Sequence, residues 1–205
     1  MILCDIGNTS YHFLENEKEY KKDVTSFHPE TIQQKVFYIC VHPEIKKTLK
    51  KLPNWIDISP YIDTKHYYPT MGVDRIVACE AIFDGLILDA GSAITVDIVT
   101  NGIFEGGFIY PGVYAMQQTY KNISKALDYS FNFECDFDIM PKNSQDAISY
   151  GYLKLLYNEV VSKNKEIFLT GGDAQKFLHI FPNAKVKKYL LFDGMKKIIK
   201  KANLC

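Results

Sequence analysis

Two short stretches of this sequence carry the residue types of a phosphate-handling turn. They are Asp5-Ile6-Gly7-Asn8-Thr9-Ser10 and Asp89-Ala90-Gly91-Ser92-Ala93-Ile94-Thr95, 84 positions apart. In each, a carboxylate stands two residues ahead of a glycine, and hydroxyl or amide side chains follow. A glycine turn turns backbone N–H groups and hydroxyls towards a phosphate, while an Asp at the strand end can hold a metal ion or an activating water. One such turn alone reads equally well as an ordinary hairpin with an Asx-type turn. Its duplication favours phosphate binding, and two turns facing each other would grip a nucleoside triphosphate from both sides.

A third stretch, Gly72-Val73-Asp74-Arg75, holds the only arginine among 24 basic residues. A guanidinium kept at one place in a lysine-rich chain suits bidentate clamping of a carboxylate or phosphate, which lysine cannot do. Taken alone, Asp74-Arg75 reads more simply as a helix N-terminal Asp with a surface ion pair.

The elements that must position these residues repeat. Residues 1–5, 11–14 and 20–24 read as an antiparallel meander turning at Glu15-Asn16-Glu17-Lys18, and residues 35–41 as a buried strand. Pro43 opens a helix over residues 43–52, residues 55–58 form a short strand, and residues 61–71 a polar, aromatic loop. A helix over 74–83 leads into the second Asp turn. Residues 86–89, 94–99 and 102–109 then make a second meander. Helices follow over 111–127 and from Asn143 or Ser144 to 162, the latter with Ala147, Ile148, Tyr152, Leu155 and Leu156 inward. A strand at 166–170, a Gly171-Gly172-Asp173 bend, a helix from Ala174 and an amphipathic helix over 195–201 complete the chain.

Composition narrows the function classes. With 24 basic and 24 acidic residues, an electrostatically driven nucleic-acid or membrane partner is disfavoured. No apolar run approaches the roughly 20 residues of a membrane span, and no signal peptide is expected. Five scattered cysteines without a CxxC pair fit a reducing cytoplasm rather than a zinc or disulfide framework.

The five motifs Asp5-Ile-Gly-Asn-Thr9, Gly72-Val-Asp-Arg75, Asp89-Ala-Gly-Ser-Ala-Ile-Thr95, Gly106-Gly-Phe-Ile-Tyr-Pro-Gly112 and Leu169-Thr-Gly-Gly-Asp-Ala174 occur in one order. In that order the chain resembles the type III pantothenate kinases, of the acetate and sugar kinase, Hsp70 and actin superfamily. The resemblance implies an α/β fold of two ribonuclease-H-like (actin-like) lobes, residues 1–84 and 85–205, with mixed sheets flanked by helices and an ATP cleft between them. It implies transfer of the ATP γ-phosphoryl to the primary hydroxyl of pantothenate, the first step of coenzyme A biosynthesis.

Carried over by position, Asp5, Ile6, Gly7, Asn8, Thr9 and Ser10 would hold ATP phosphates, with Asp5 placing Mg²⁺, directly or through water. Gly91 and Ser92 would contact ATP, Asp89 a monovalent cation (K⁺ or NH₄⁺), and Gly171 and Gly172 the adenosine end. Gly72, Val73, Asp74 and Arg75 would bind pantothenate, with Asp74 as proton acceptor; Tyr68, or Tyr67 beside it, and Ser144 would also contact the substrate. Ser92 and Ser144 replace the family's usual Thr, and the chain is short for the family. The resemblance also implies a homodimer, for which the 111–127 helix, through Val113, Met116 and Tyr120, is the expected contact. Two other readings are a kinase of this superfamily with another small acceptor, and a catalytically silent nucleotide-sensing regulator.

Overall fold

The computed structural model describes residues 1–204. It resolves into two compact units, Met1–Ile82 with the segment from Tyr189 onward, and Phe83–Lys188. Each is built on one five-stranded mixed sheet flanked by helices.

In the first unit the strands are β1 (Ile2–Ile6), β2 (Ser10–Glu15), β3 (Lys18–Asp23), β4 (Val36–Cys40) and β5 (Trp55–Asp57), with helices α1 (Pro43–Leu49) and α2 (Val73–Ala81). The spatial order is β3-β2-β1-β4-β5: an antiparallel meander whose first strand takes a parallel neighbour, β4, which then pairs in parallel with β5. The meander reverses at Asn16 and Glu17, both with positive φ (48° and 66°), the twist-matched conformation of a two-residue hairpin loop. Alternation along β1 sends Ile2, Cys4 and Ile6 into one core cluster with Tyr11, Phe13 and Trp55. Leu3 points into the other, with Ile39 and Val77.

The second unit repeats the plan with β6 (Gly85–Ala90), β7 (Ala93–Thr100), β8 (Ile103–Pro111), β9 (Ile167–Thr170) and β10 (Lys185–Val186), ordered β10-β9-β6-β7-β8. Its helices are α3 (Val113–Ile123), α4 (Ser144–Ser162) and the short α5 (Ala174–Phe177). One core cluster joins Leu86, Leu88, Ile94 and Val96 of the sheet to Tyr152, Leu153 and Leu156 of α4. The last helix, α6 (Leu190–Lys201), packs with the first unit: Phe192, Met195, Ile198 and Ile199 share a cluster with Leu3, Ile39 and Val77. Compared with the expected lobes 1–84 and 85–205, this helix groups with the first unit, its apolar stripe packed beside Val77 of α2.

Two helices differ from the sequence expectation. Pro111 ends β8, so α3 begins at Val113, and its Val113, Met116 and Tyr120 pack onto their own unit's core instead of presenting a stripe outward. On α4 the buried residues are Ile148, Ser149, Tyr152, Leu153, Leu156 and Val160, while Ala147 and Leu155 are exposed. The stripe rotates because Asn132 and the Phe131 ring dock over Ser149 and Tyr152. Among the described residues, no helix is long and apolar enough to cross a membrane.

Candidate active site

The first turn joins β1 to β2. Ile6 pairs with Tyr11, leaving Gly7 to Ser10 as the bend, closed by donation from Gly7 N–H to the Ser10 carbonyl at 3.0 Å. Asn8 and Thr9 are exposed. Asp5, half-buried, pairs directly with His12 across β2 and with Ile39 across β4. His12 in turn lies 3.5 Å from Glu19 through Nε2 and packs edge-on against Phe192.

The second turn joins β6 to β7 and is one residue tighter. Ala90 pairs with Ile94, and Gly91 N–H donates to the Ala93 carbonyl at 3.1 Å. Asp89, also half-buried, has Thr95 opposite on β7 and Thr170 alongside on β9, so hydroxyl-bearing residues flank the carboxylate on one sheet face.

Two glycines let neighbouring loops close on this second turn. Gly171 follows β9 with φ +88°, and a Cβ there would collide with the Asp89 carboxylate and lie 2.6 Å from the Ala90 carbonyl oxygen. Asp173 N–H donates to that same carbonyl at 3.0 Å, stitching the Gly171-Gly172 bend to the turn. Gly112 sits against Ser92 and Gly91, with the Gly91 carbonyl oxygen 2.7 Å from where a Cβ would be. Gly171, Gly172 and Ser92 are exposed.

The Gly72–Arg75 segment opens α2. Gly72 is its N-cap, Val73 its first residue, and Asp74 lies in the first turn, half-buried, its Oδ1 accepting from Arg75 N–H at 2.9 Å. A carboxylate there sits in the favourable end of the helix dipole. Arg75 is buried, only 7% exposed, and its Nη1 donates to the Tyr68 hydroxyl at 2.5 Å with the guanidinium beside the Tyr68 ring. Tyr67 points elsewhere, donating its hydroxyl to Glu80 Oε1 at 3.1 Å. The two neighbouring tyrosines thus hold different partners, Tyr68 on Arg75 and Tyr67 on Glu80.

Ser144 is exposed at the start of α4; the cap itself is Asn143, whose Oδ1 accepts from Asp146 N–H at 2.9 Å. Asp146 also accepts from Asn132 and Asn143 side chains, which hold its carboxyl below the usual range. Within the first unit the structure brings Tyr68 to Arg75; within the second it brings Gly171 and Gly112 to the Asp89 turn.

Sequence reasoning passed over Asp97, a carboxylate only 1% exposed in the middle of β7, opposite Ile87 and Gly107. Its signal was a charge interrupting the apolar run Ile94–Val99, where ionised groups are costly without partners.

The donor sets bear on which ions fit. Among the described residues no group of three or more His, Cys, Asp or Glu side chains forms a metal cage. Mg²⁺ usually keeps waters and is held by one or two carboxylates together with substrate phosphates, and the half-buried Asp5 offers one such carboxylate. The oxygen-rich flank of Asp89 suits a hard cation of the alkali type.

A family model for type III pantothenate kinase matches residues 14–163. A Sulfurimonas denitrificans protein named type III pantothenate kinase is 62% identical, with both chains covered completely. A solved structure from Campylobacter jejuni, provisionally described as a Baf family transcriptional activator, superposes with a TM-score of 0.91 at 41% identity over the whole of both chains. A Sinorhizobium meliloti structure provisionally described as a 2-dehydro-3-deoxygalactonokinase reaches a TM-score of 0.54 at 8% identity, covering 98% of this chain and 95% of its own, a likeness of fold alone. With most of its length matched by the family model and all of it by a close relative, the chain belongs to the type III pantothenate kinase family.

Proposed function

We propose that the protein transfers the γ-phosphoryl group of ATP to the primary hydroxyl of pantothenate, giving 4'-phosphopantothenate and ADP in the cytoplasm. The observation that carries this reading is the Tyr68–Arg75–Asp74 arrangement at the start of α2: a buried guanidinium fixed by a phenol, next to a half-exposed carboxylate. Arg75 supplies the charge that recognises the pantothenate carboxylate, and Tyr68 a hydroxyl at the same place.

Asp74 then orients the acceptor alcohol. As its oxygen bonds to the γ-phosphorus and the bond to the ADP oxygen breaks, the alcohol proton passes to the Asp74 carboxylate and later to water. Because the transition state is loose and charge-spread, the rest of the protein's task is placement. The backbone of the Gly7–Ser10 bend and the Gly91-Ser92 bend contact phosphate oxygens, and Gly171-Gly172 the adenosine end. Asp5 would hold Mg²⁺, directly or through water, and Asp89 with Thr95 and Thr170 the monovalent cation; bound there, these ions neutralise developing phosphate charge. Ser144 contacts the substrate.

The protein acts as a homodimer whose contact uses the exposed apolar residues Ile109, Tyr114 and Ile123 in place of the inward stripe of α3. Sedimentation as a monomer at micromolar concentration removes that part of the proposal.

Incubation with ATP, Mg²⁺, K⁺ and pantothenate, followed by mass analysis, is expected to show pantothenate gaining one phosphoryl group with stoichiometric ADP. The transcriptional-activator description of the Campylobacter jejuni structure favours a second reading, a silent nucleotide-binding regulator. It predicts bound ATP and an unchanged pantothenate mass.

A further inference from the structure

Glu80, in the last turn of α2, accepts from three directions that no step of the phosphoryl transfer uses. Its Oε1 takes the Tyr67 hydroxyl at 3.1 Å, its Oε2 takes Lys201 Nζ at 3.2 Å, and its backbone carbonyl takes Lys197 Nζ at 2.6 Å. Tyr67 belongs to the irregular loop 62–71, and Lys197 and Lys201 to α6. One side chain therefore ties the loop, α2 and the last helix of the first unit together. Glu80 is 16% exposed at its side chain, so its bonds are partly shielded from water, whereas Lys201 is 64% exposed and contributes little by itself.

The loop also carries backbone turns of its own. Its internal backbone bonds include Tyr67 N–H to the Thr64 carbonyl and Met71 N–H to the Tyr68 carbonyl, each at 3.0 Å. Tyr68 sits between these two turns and is 41% exposed, yet its hydroxyl must meet Arg75 at 2.5 Å. A loop that carries a ligand-facing phenol on an exposed side chain loses affinity when that phenol wanders.

We propose that Glu80 is a positioning residue: by clamping Tyr67 it fixes the loop register that delivers the Tyr68 hydroxyl to Arg75, and so sets affinity for the acceptor. Tyr67 is the anchor and Tyr68 the contact. The claim that the acceptor is pantothenate rests on the function proposed above; the anchoring itself does not.

The test uses Tyr67→Phe, Glu80→Met and Glu80→Gln in the full chain, with steady-state kinetics and amide hydrogen exchange of the 62–71 segment. Tyr67→Phe and Glu80→Met should each raise the pantothenate KM about five-fold, with kcat and the ATP KM changed less than about two-fold. Their double variant should be no worse than the poorer single, since both remove the same Tyr67–Glu80 bond. Glu80→Gln keeps an acceptor oxygen and should restore most of the affinity. Exchange at Tyr67 and Met71 should quicken in the first two variants and stay near wild type in Glu80→Gln. Unchanged exchange in both disruptive variants overturns the anchoring, whatever the kinetics. Faster exchange with an unchanged pantothenate KM overturns the link to acceptor affinity. Absence of pantothenate-dependent turnover in the wild type would instead overturn the proposed function, and exchange still decides whether Glu80 holds the loop.

Discussion

The two carboxylate–glycine turns look alike in sequence but sit in different surroundings. Asp5 faces His12 across one strand and Ile39 across the other; Asp89 faces Thr95 and Thr170. A Cβ on Gly7 would meet nothing nearer than the Ser10 carbonyl oxygen at 3.9 Å, whereas the second turn is pressed by Gly171 and Gly112. The first bend leaves space around Gly7 and is closed by its Gly7–Ser10 backbone bond. The second is closed by its own unit and offers oxygen on a preformed surface. Duplicated topology thus fixes where a turn stands, and the residues packed beside it decide what it can hold.

The largest expected difference is steric. Gly171→Ala puts a methyl into the Asp89 carboxylate at a φ of +88°, and should destabilise the second unit by about 3 kcal/mol in denaturant unfolding. Gly7→Ala should cost less than about 1 kcal/mol. Equal losses would erase the contrast.

Next comes ion dependence. Asp89→Asn should abolish activation by K⁺ and lower kcat/KM by about 100-fold, while Asp5→Asn should raise the Mg²⁺ requirement and leave the K⁺ response intact. A swap of these two phenotypes would reverse the assignment of the turns. Thr170→Val, nearly isosteric at a 6% exposed site, should keep the fold and raise the K⁺ concentration for half-activation by about three-fold. No shift there would remove Thr170 from the cation site.

The smallest effect concerns acid stability. Asn132 and Asn143 lower the Asp146 carboxyl, and Lys165 lowers that of Asp84, both in the second unit. In the first unit Asp23 is lowered by Thr25. A carboxyl lowered in the folded state stabilises the protein above its unfolded value, 3.8, and that gain is lost as pH falls through the folded value. Asn132→Ala should therefore weaken the second unit near neutral pH and flatten its loss of stability below about pH 4, measured by acid titration of unfolding.

Much of this was legible beforehand because the signals were local. Alternation and glycine spacing marked both meanders, and Asn16-Glu17 marked a reversal. The membership of α6 in the first unit was not legible, since its Phe192, Met195 and Ile198 stripe finds its partner nearly the whole chain away. On α4, Ile148, Tyr152 and Leu156 were legible as inward, but Leu155 is apolar yet 65% exposed, and periodicity alone cannot say where the edge of the stripe falls. Two-residue β10 is too short to carry a pattern. At the site, Asp74 and Arg75 stood out by type, but that Arg75 would be buried and held by Tyr68, with Tyr67 on Glu80, depends on how a loop folds back onto α2.

The most direct test follows ADP release with ATP, Mg²⁺ and K⁺, with and without pantothenate, in wild type and Asp74→Asn. Wild type should release ADP only when pantothenate is present, and Asp74→Asn should lower kcat by about 10³-fold with ATP affinity retained. Release that ignores pantothenate, or a variant as fast as wild type, would contradict the placing of Asp74 beside the acceptor alcohol.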